Sequence, residues 1–366
     1  MTPETTMSGL FSQIFAVVRI EIAKTFFSRR SLWIYLLALL PASLFFMNSI
    51  YAKREHARLA RVASEHPVQK EALRSVRAGA RLEDVVGLLG EPYRKTTFNF
   101  WNGRPPQRHE RLIYFYTDGE VDITFHFIDG VMRGMGQSGR SQTLQQLLLV
   151  FASVFELYFL RLAIFFGCAG VFMNLFRGEM LDRSLHFYLL TPVPRPVIVA
   201  GKYVAGLLAT AVIFSVSTLL QFYAVFRSFD GVIVHDYLQS GGWNQIAAYM
   251  GVSMLACAAY GSLFLAAGLV AKNPTTFAAL LLLWESVNAF IPGNLKMASI
   301  VFYLQSLCPI EPPQDINIPP ALRLLVAPAE SVDTFTGIAV IAALSILVLV
   351  ASGLYSRKLE INYSAD

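Results

Sequence analysis

Charge is what this sequence has least of. Only 15% of its 366 residues are Asp, Glu, Lys or Arg, against 55% hydrophobic, and the mean hydropathy is +0.49. A soluble globular domain carries about a quarter charged residues, so a water-soluble enzyme is not the expected product. Cysteine is sparser still, with three residues. Cys168 and Cys257 lie in apolar runs and Cys308 in a loop, which makes neither a disulfide framework nor a metal cluster. There is no G-x-x-x-x-G-K-[ST], because Gly201-Lys202-Tyr203 lacks both the upstream glycine and the magnesium-holding hydroxyl. The chain is therefore not expected to bind or hydrolyse ATP. An H-E-x-x-H pair and a nucleophile elbow are also missing. His109 and His126 stand alone and read as solvated surface residues. No catalytic residue and no metal ligand is assigned. The net charge of +5 comes without basic runs interleaved with aromatics, so nucleic acid is not an expected partner.

What charge there is clusters. Of 55 charged residues, 26 fall in the 88 residues between Lys53 and Arg140, 15 of them basic and 11 acidic. That window is composed like a soluble domain and the rest like a membrane protein. A spanning helix needs about 20 mainly apolar residues. Six runs qualify: Leu32–Tyr51, Leu147–Phe176, Val204–Phe226, Ile246–Ala271, Thr275–Ile291 and Phe335–Tyr355. Before them, Leu10–Phe27 places Phe11, Ile14, Phe15, Val18, Ile22 and Phe26 at helical spacing, with Ser12, Gln13, Arg19 and Lys24 opposite. This predicts an amphipathic helix lying in the interface. A cleaved signal peptide is disfavoured, since charges from Arg19 to Arg30 hold the apolar core too far from the start.

Lys and Arg in short loops set orientation. One side collects Arg19, Lys24, Arg29, Arg30, Arg177, Arg183, Arg195, Lys202, Lys272, Arg357 and Lys358; the other has Arg227, Lys296 and Arg323. Six spans and this bias place both termini in the cytosol. Lys53, Arg54, Arg58 and Arg61 disagree, but long translocated domains are largely exempt from the rule. The expected organisation is a cytosolic N-terminus with its interfacial helix over residues 1–31, a first span over 32–51, an extracytoplasmic α+β domain over 52–146, and five further spans over 147–366. Within the last part lie a cytosolic loop at 177–202 and an outer segment at 292–332.

Inside the insert, Arg54–Ala78 is a charged helical pattern interrupted at Pro67. Leu82–Leu89 is a short amphipathic helix stopped by Gly90 and Pro92. Strands are predicted around Lys95–Trp101, Arg111–Thr117 and Val121–Ile128, with hairpin signals at Asp118-Gly119 and Asp129-Gly130. Gly79, Val85, Leu89, Gly90 and Pro92, followed by this alternating stretch, resemble the small lipoprotein of the β-barrel assembly machinery over about 60 residues. That resemblance implies a domain outside the cytoplasmic membrane that meets an envelope protein or substrate. The plainer alternative is a spacer with no ligand.

The loop between the second and third spans is the most informative. Glu179, Asp182 and Arg183 form a polar edge, Leu185, Phe187, Leu189 and Leu190 supply apolar surface, and Pro192, Pro194 and Pro196 stop the helix. A short amphipathic helix of this kind needs the membrane surface or another subunit. Glu179, Leu185, Leu189, Leu190, Thr191, Pro192, Val193, Arg195, Gly201 and Lys202 match the pattern of type-2 ABC exporter permeases, departing at Arg183-Ser184 where many members have Gly-Thr. The resemblance extends to the layout of about 270 residues, everything but the insert. It implies a permease paired with a second copy or a paralogue and driven by separate ABC ATPase subunits, which hold the ATP and magnesium. Arg177–Arg195 would be the coupling helix, with Glu179, Asp182, Arg183 and Arg195 in polar contact and Leu185, Tyr188 and Leu189 packed at the joint.

Ionisable residues at membrane depth are functional candidates by default. Arg161 and Glu156 fall near the far interface and are expected to snorkel or to face the insert. Glu285, with Asn288 one turn on, lines a translocation path or the dimer seam, or bonds a neighbouring helix. After it, Pro292–Val332 is too broken by proline to span, and Leu295–Leu307 is apolar enough to dip into the outer leaflet. The leading function is a transport subunit of the bacterial cytoplasmic membrane. The rival is a membrane-anchored interaction protein whose insert recruits envelope partners.

Overall fold

The computed structural model describes residues 7–27, 31–102, 107–119, 121–138, 143–181, 193–271, 273–287, 293–310 and 332–357. The chain forms two compact units, residues 47–144 and the remainder. Helix α1 (Met7–Phe27) comes first in the remainder, and α2 (Ser31–Glu65) starts there and runs on into the 47–144 unit. After the insert, α5 (Leu144–Val154) runs through a π-helical stretch, Phe155–Ile164, into α6 (Phe165–Phe172) and α7 (Asn174–Leu181). There follow α8 (Arg195–Phe226), α9 (Gly231–Tyr237), α10 (Trp243–Val270), α11 (Pro274–Val287), α12 (Gly293–Lys296), α13 (Ile300–Ser306) and α14 (Thr334–Arg357).

Among the described residues, five helices are long and apolar enough to cross a membrane: Leu32–Glu65, Leu144–Gly178, Arg195–Phe226, Gly231–Val270 and Thr334–Arg357. The sixth run yields α11, a shorter apolar helix of 14 residues. At 1.5 Å per residue it reaches about 21 Å, short of a ~30 Å hydrocarbon core, and residues 288–292 lie outside the described part. The faces turned away from protein are apolar, with Leu36, Leu40 and Leu44 on α2 and Ile346, Leu347, Val350 and Leu354 on α14 all exposed. That is the polarity a helix needs in lipid rather than water.

Small residues set the packing distances. Phe172, fully buried, sits between two glycines: a Cβ at Gly206 of α8 would meet its ring at 2.7 Å, and one at Gly261 of α10 at 2.5 Å. The α14 face made of Gly337, Ile341, Ser345, Ser352 and Ser356 is buried and packs on α8 and α10, the small-residue interface expected where lipid gives no hydrophobic drive between helices. An aromatic cluster of Phe151, Phe155, Phe222 and Tyr249 fills the centre, with ring centroids 4.3–5.8 Å apart for Phe151–Phe222, Phe155–Tyr249 and Phe222–Tyr249.

α1 is a helix and packs on α8. Val17, Val18 and Glu21 are buried while Phe15 and Ile20 are exposed. The groove on α8 receives Val17, because Gly201 there leaves room for it (a Cβ would stand 2.9 Å from Val17).

The insert carries two short helices, α3 (Lys70–Ser75) and α4 (Leu82–Leu89), before a four-stranded antiparallel sheet in the order β1-β2-β3-β4. The strands are β1 (Arg94–Asn102), β2 (Gln107–Thr117), β3 (Asp122–Ile128) and β4 (Val131–Ser138). Three were expected; β4 was not, because Gly134 and Gly136 break any alternation. Pro67 does end the helical pattern, as α2 stops at Glu65 and the chain resumes helix at Lys70. The Asp129-Gly130 turn has both residues at positive φ, 50° and 79°, the geometry of a two-residue hairpin. Leu73 and α4 residues Val85 and Leu89 pack on Tyr116, Phe125, Phe127 and Met132 of one sheet face.

Candidate functional site

Two regions hold the residues singled out by sequence. The first is the base of α8 and the loop before it. Glu179 lies in α7, which ends at Leu181. Its side chain, with Asp182, Arg183, Leu185, Tyr188 and Leu189, lies outside the described residues. Arg195 is the first residue of α8, preceded by Pro194 as N-cap and followed by Pro196, a position where a missing N–H costs nothing. Its Nη1 donates to the carbonyls of Ser356 (3.4 Å) and Arg357 (3.3 Å). A cation on those terminal carbonyls opposes the α14 dipole.

Two groups there were not assigned a role from sequence. Lys202 is fully buried, and its Nζ donates to Glu21 Oε1 at 2.7 Å, with Glu21 only 3% exposed. The ammonium also stands 5.5 Å from the Phe176 ring centroid. The Gly201-Lys202 pair of the loop pattern therefore receives α1, glycine making room and lysine making the ion pair. A lone Glu in an apolar helix was the available signal, but its partner stands 181 residues away.

The second region is a buried polar cluster among the π-helical stretch, α11 and α13. Glu285 is 4% exposed. Its carboxylate accepts from Ser299 Oγ (2.5 Å) and from the backbone N–H groups of Ile300 (3.1 Å) and Val301 (3.2 Å). Gln305 Nε2 donates to Glu156 Oε2 at 3.0 Å, and Gln305 Oε1 accepts from Arg161 Nη2 at 3.3 Å. Arg161 Nη1 also donates to the Glu285 carbonyl at 3.3 Å. Glu156 and Arg161 thus face the protein interior rather than snorkelling outward. Asn288 lies outside the described residues.

In the insert, Tyr93 Oη donates to Asp122 at 2.6 Å and Arg58 stands 3.7 Å from the same carboxylate. Burial, then the Asp122 bond, push the Tyr93 phenol up to about 12. Burial raises the Asp122 carboxyl, with Tyr93 and Arg58 pulling the other way. His126 is held below the usual imidazole value by burial and then by Arg111. His109 Nδ1 lies 2.6 Å from Asp129 Oδ2 in an exposed contact. No group of three or more His, Cys, Asp or Glu able to hold a metal occurs among the described residues.

Several long apolar helices around buried polar groups, with a small antiparallel sheet between the first two spans, define a multi-pass membrane protein. The family model of the ABC-2 family transporter protein matches residues 15–314. The chain belongs to that family, and it is a membrane-embedded permease component of an ABC-type transporter. No curated protein matches the chain, and no solved structure does.

Proposed function

We propose that the chain is the permease subunit of an ATP-driven exporter, moving its substrate across the bacterial cytoplasmic membrane on energy from separate ABC ATPase subunits. The observation that carries this reading is the family match over residues 15–314. Six spans with both termini cytosolic follow from the loop charge bias, and α1 would lie along the inner interface. The permease pairs with a second copy or a paralogue. The loop at 177–202 docks in the ATPase, with Glu179, Asp182 and Arg183 in polar contact and Leu185, Tyr188 and Leu189 packed at the joint. Arg195 fixes the loop's far end to α14. ATP and magnesium belong to the ATPase subunits. Glu285 and Asn288 belong to the outer half of the route, and residues 52–146 meet an envelope protein or the substrate.

The test is co-purification of an ATPase with the full-length chain. Leu185→Asp with Leu189→Asp should remove the ATPase while the permease stays folded in the membrane. Retained binding in that variant would sink the coupling role of the loop. The absence of any ATPase from the unaltered chain would favour the membrane-anchored interaction protein instead.

A further inference from the structure

The sheet of the insert meets helix on both faces. The α3 and α4 core takes the face of Tyr116, Phe125 and Phe127. Phe115 and Asp122 alternate with core residues along β2 and β3, so they point to the opposite face. The C-terminal end of α2 lies against that side at the turn between β2 and β3. Arg58 stands 3.7 Å from Asp122, Leu59 is 1% exposed, and a Cβ on Gly119 would meet the Cβ of Ala63 at 3.3 Å.

This second seat has an ill-matched group at its centre. Asp122 is only 7% exposed, yet its carboxylate collects few donors. Oδ2 accepts from Tyr93 Oη at 2.6 Å, and Oδ1 has no hydrogen-bond partner among the described residues. Arg58 is too far for a hydrogen bond and is committed elsewhere, since its Nε and Nη2 donate to Glu55 at 3.0 and 2.5 Å. Buried polar atoms are normally hydrogen-bonded, and a carboxylate kept ionised in a protein gathers several donors. This one has a phenol and a distant cation. Its charge therefore works against the seat, and a proton removes the charge without removing the Tyr93 bond.

We propose that Asp122 is a proton-operated latch, whose carboxyl takes up one proton to fasten the end of α2 onto the sheet and loosens it on ionising. Among the described residues, the charged and titratable groups facing it are Arg58 and Glu55 of α2, with Tyr93 and Arg94 where β1 begins. Burial raises the carboxyl most, and Glu55 adds to that; Tyr93, Arg58 and Arg94 pull the other way without overcoming it. A carboxyl raised in the seated state binds its proton more tightly there than in an open, hydrated state. The seat therefore gains as pH falls towards that raised value and weakens as pH climbs above it. Sensing of acidity outside the cell rests on the topology proposed above, whereas the latch rests on the insert alone.

The experiment is hydrogen–deuterium exchange of the full-length chain in lipid nanodiscs at about pH 7 and about pH 5, each amide rate divided by its intrinsic rate at that pH. Protection of the α2 amides from His56 to Ser64 should be roughly tenfold greater in acid, the factor carried by one unit of carboxyl shift. Asp122→Asn keeps the shape and holds no charge. It should show at neutral pH the protection that the unaltered chain reaches in acid, with no further change on acidification. Tyr93→Phe removes a donor that favours the ionised form, so the transition should move to higher pH. Equal protection of the unaltered chain at both pH values overturns the proposal. So does an Asp122→Asn chain less protected at neutral pH than the unaltered one, the result expected of a structural ion pair. A pH response that persists in Asp122→Asn belongs to the histidines and overturns it too. Should Asp122→Asn fail to fold, Tyr93→Phe decides, and an unmoved transition there rejects the latch. ATPase co-purification is scored separately, so failure of the exporter reading and failure of the latch are distinguishable.

Discussion

At the scale of single residues, the buried Glu21–Lys202 pair carries the clearest consequence. Two charges taken out of water recover their desolvation cost only through each other. Lys202→Met alone leaves Glu21 stranded, so it should destabilise the membrane unit by about 3–5 kcal/mol. Glu21→Leu combined with Lys202→Met should recover most of that loss, because an apolar pair of similar volume tolerates the same site. Thermal midpoints in detergent measure both, and equal midpoints for the single and double variants would contradict the pairing. The lysine itself was visible in sequence as part of the loop pattern. Its role was not, since its partner Glu21 stands 181 residues away in the sequence.

At the scale of elements, the Phe172 ring sets the approach of α6 to α8 and α10. Gly261→Leu should overpack the crossing and cost about 1–3 kcal/mol. Adding Phe172→Ala should relieve it, and a double variant no more stable than Gly261→Leu alone would show that the notch does not govern the crossing. Element positions were largely legible because most spans are long unbroken apolar runs, and because Asp118-Gly119 and Asp129-Gly130 mark two turns. β4 was illegible for a physical reason. At Gly136 a Cβ would stand 2.5 Å from Thr124 Oγ1, so the strand needs the very residue that conceals it. The seating of α1 was illegible for a related reason, since the groove that receives Val17 is supplied by Gly201 of another helix.

At the scale of the whole molecule, residues 47–144 carry their own core of Leu73, Val85, Leu89, Tyr116, Phe125, Phe127 and Met132. A unit with its own core can be removed without exposing another. Replacing Lys53–Arg140 by a short Gly-Ser link should leave the chain inserted in the membrane and, under the exporter reading, still bound to its ATPase; co-purification measures this. Loss of the ATPase in that variant would mean the insert takes part in assembly. The charge-rich window Lys53–Arg140 falls within residues 47–144. The buried cluster of Glu156, Arg161, Glu285 and Gln305 could not be foretold, since its members come from three separate segments.

The ten residues of π-helix in the second span also bear on how this chain can change. Winding of that kind accommodates surplus length without altering where either end of the helix emerges. Removing one residue between Phe155 and Ile164 would let the segment relax to ordinary α-helical winding, keeping the α6 end in register with α8 and α10. A deletion between Glu156 and Arg161 would leave them four residues apart and still on one face, whereas a deletion elsewhere in the stretch would leave them five apart and about 140° from each other around the α-helix. The stretch is therefore where this chain can lose a residue at little cost to the bundle, and the position of the loss decides whether a buried acid and base still share a face.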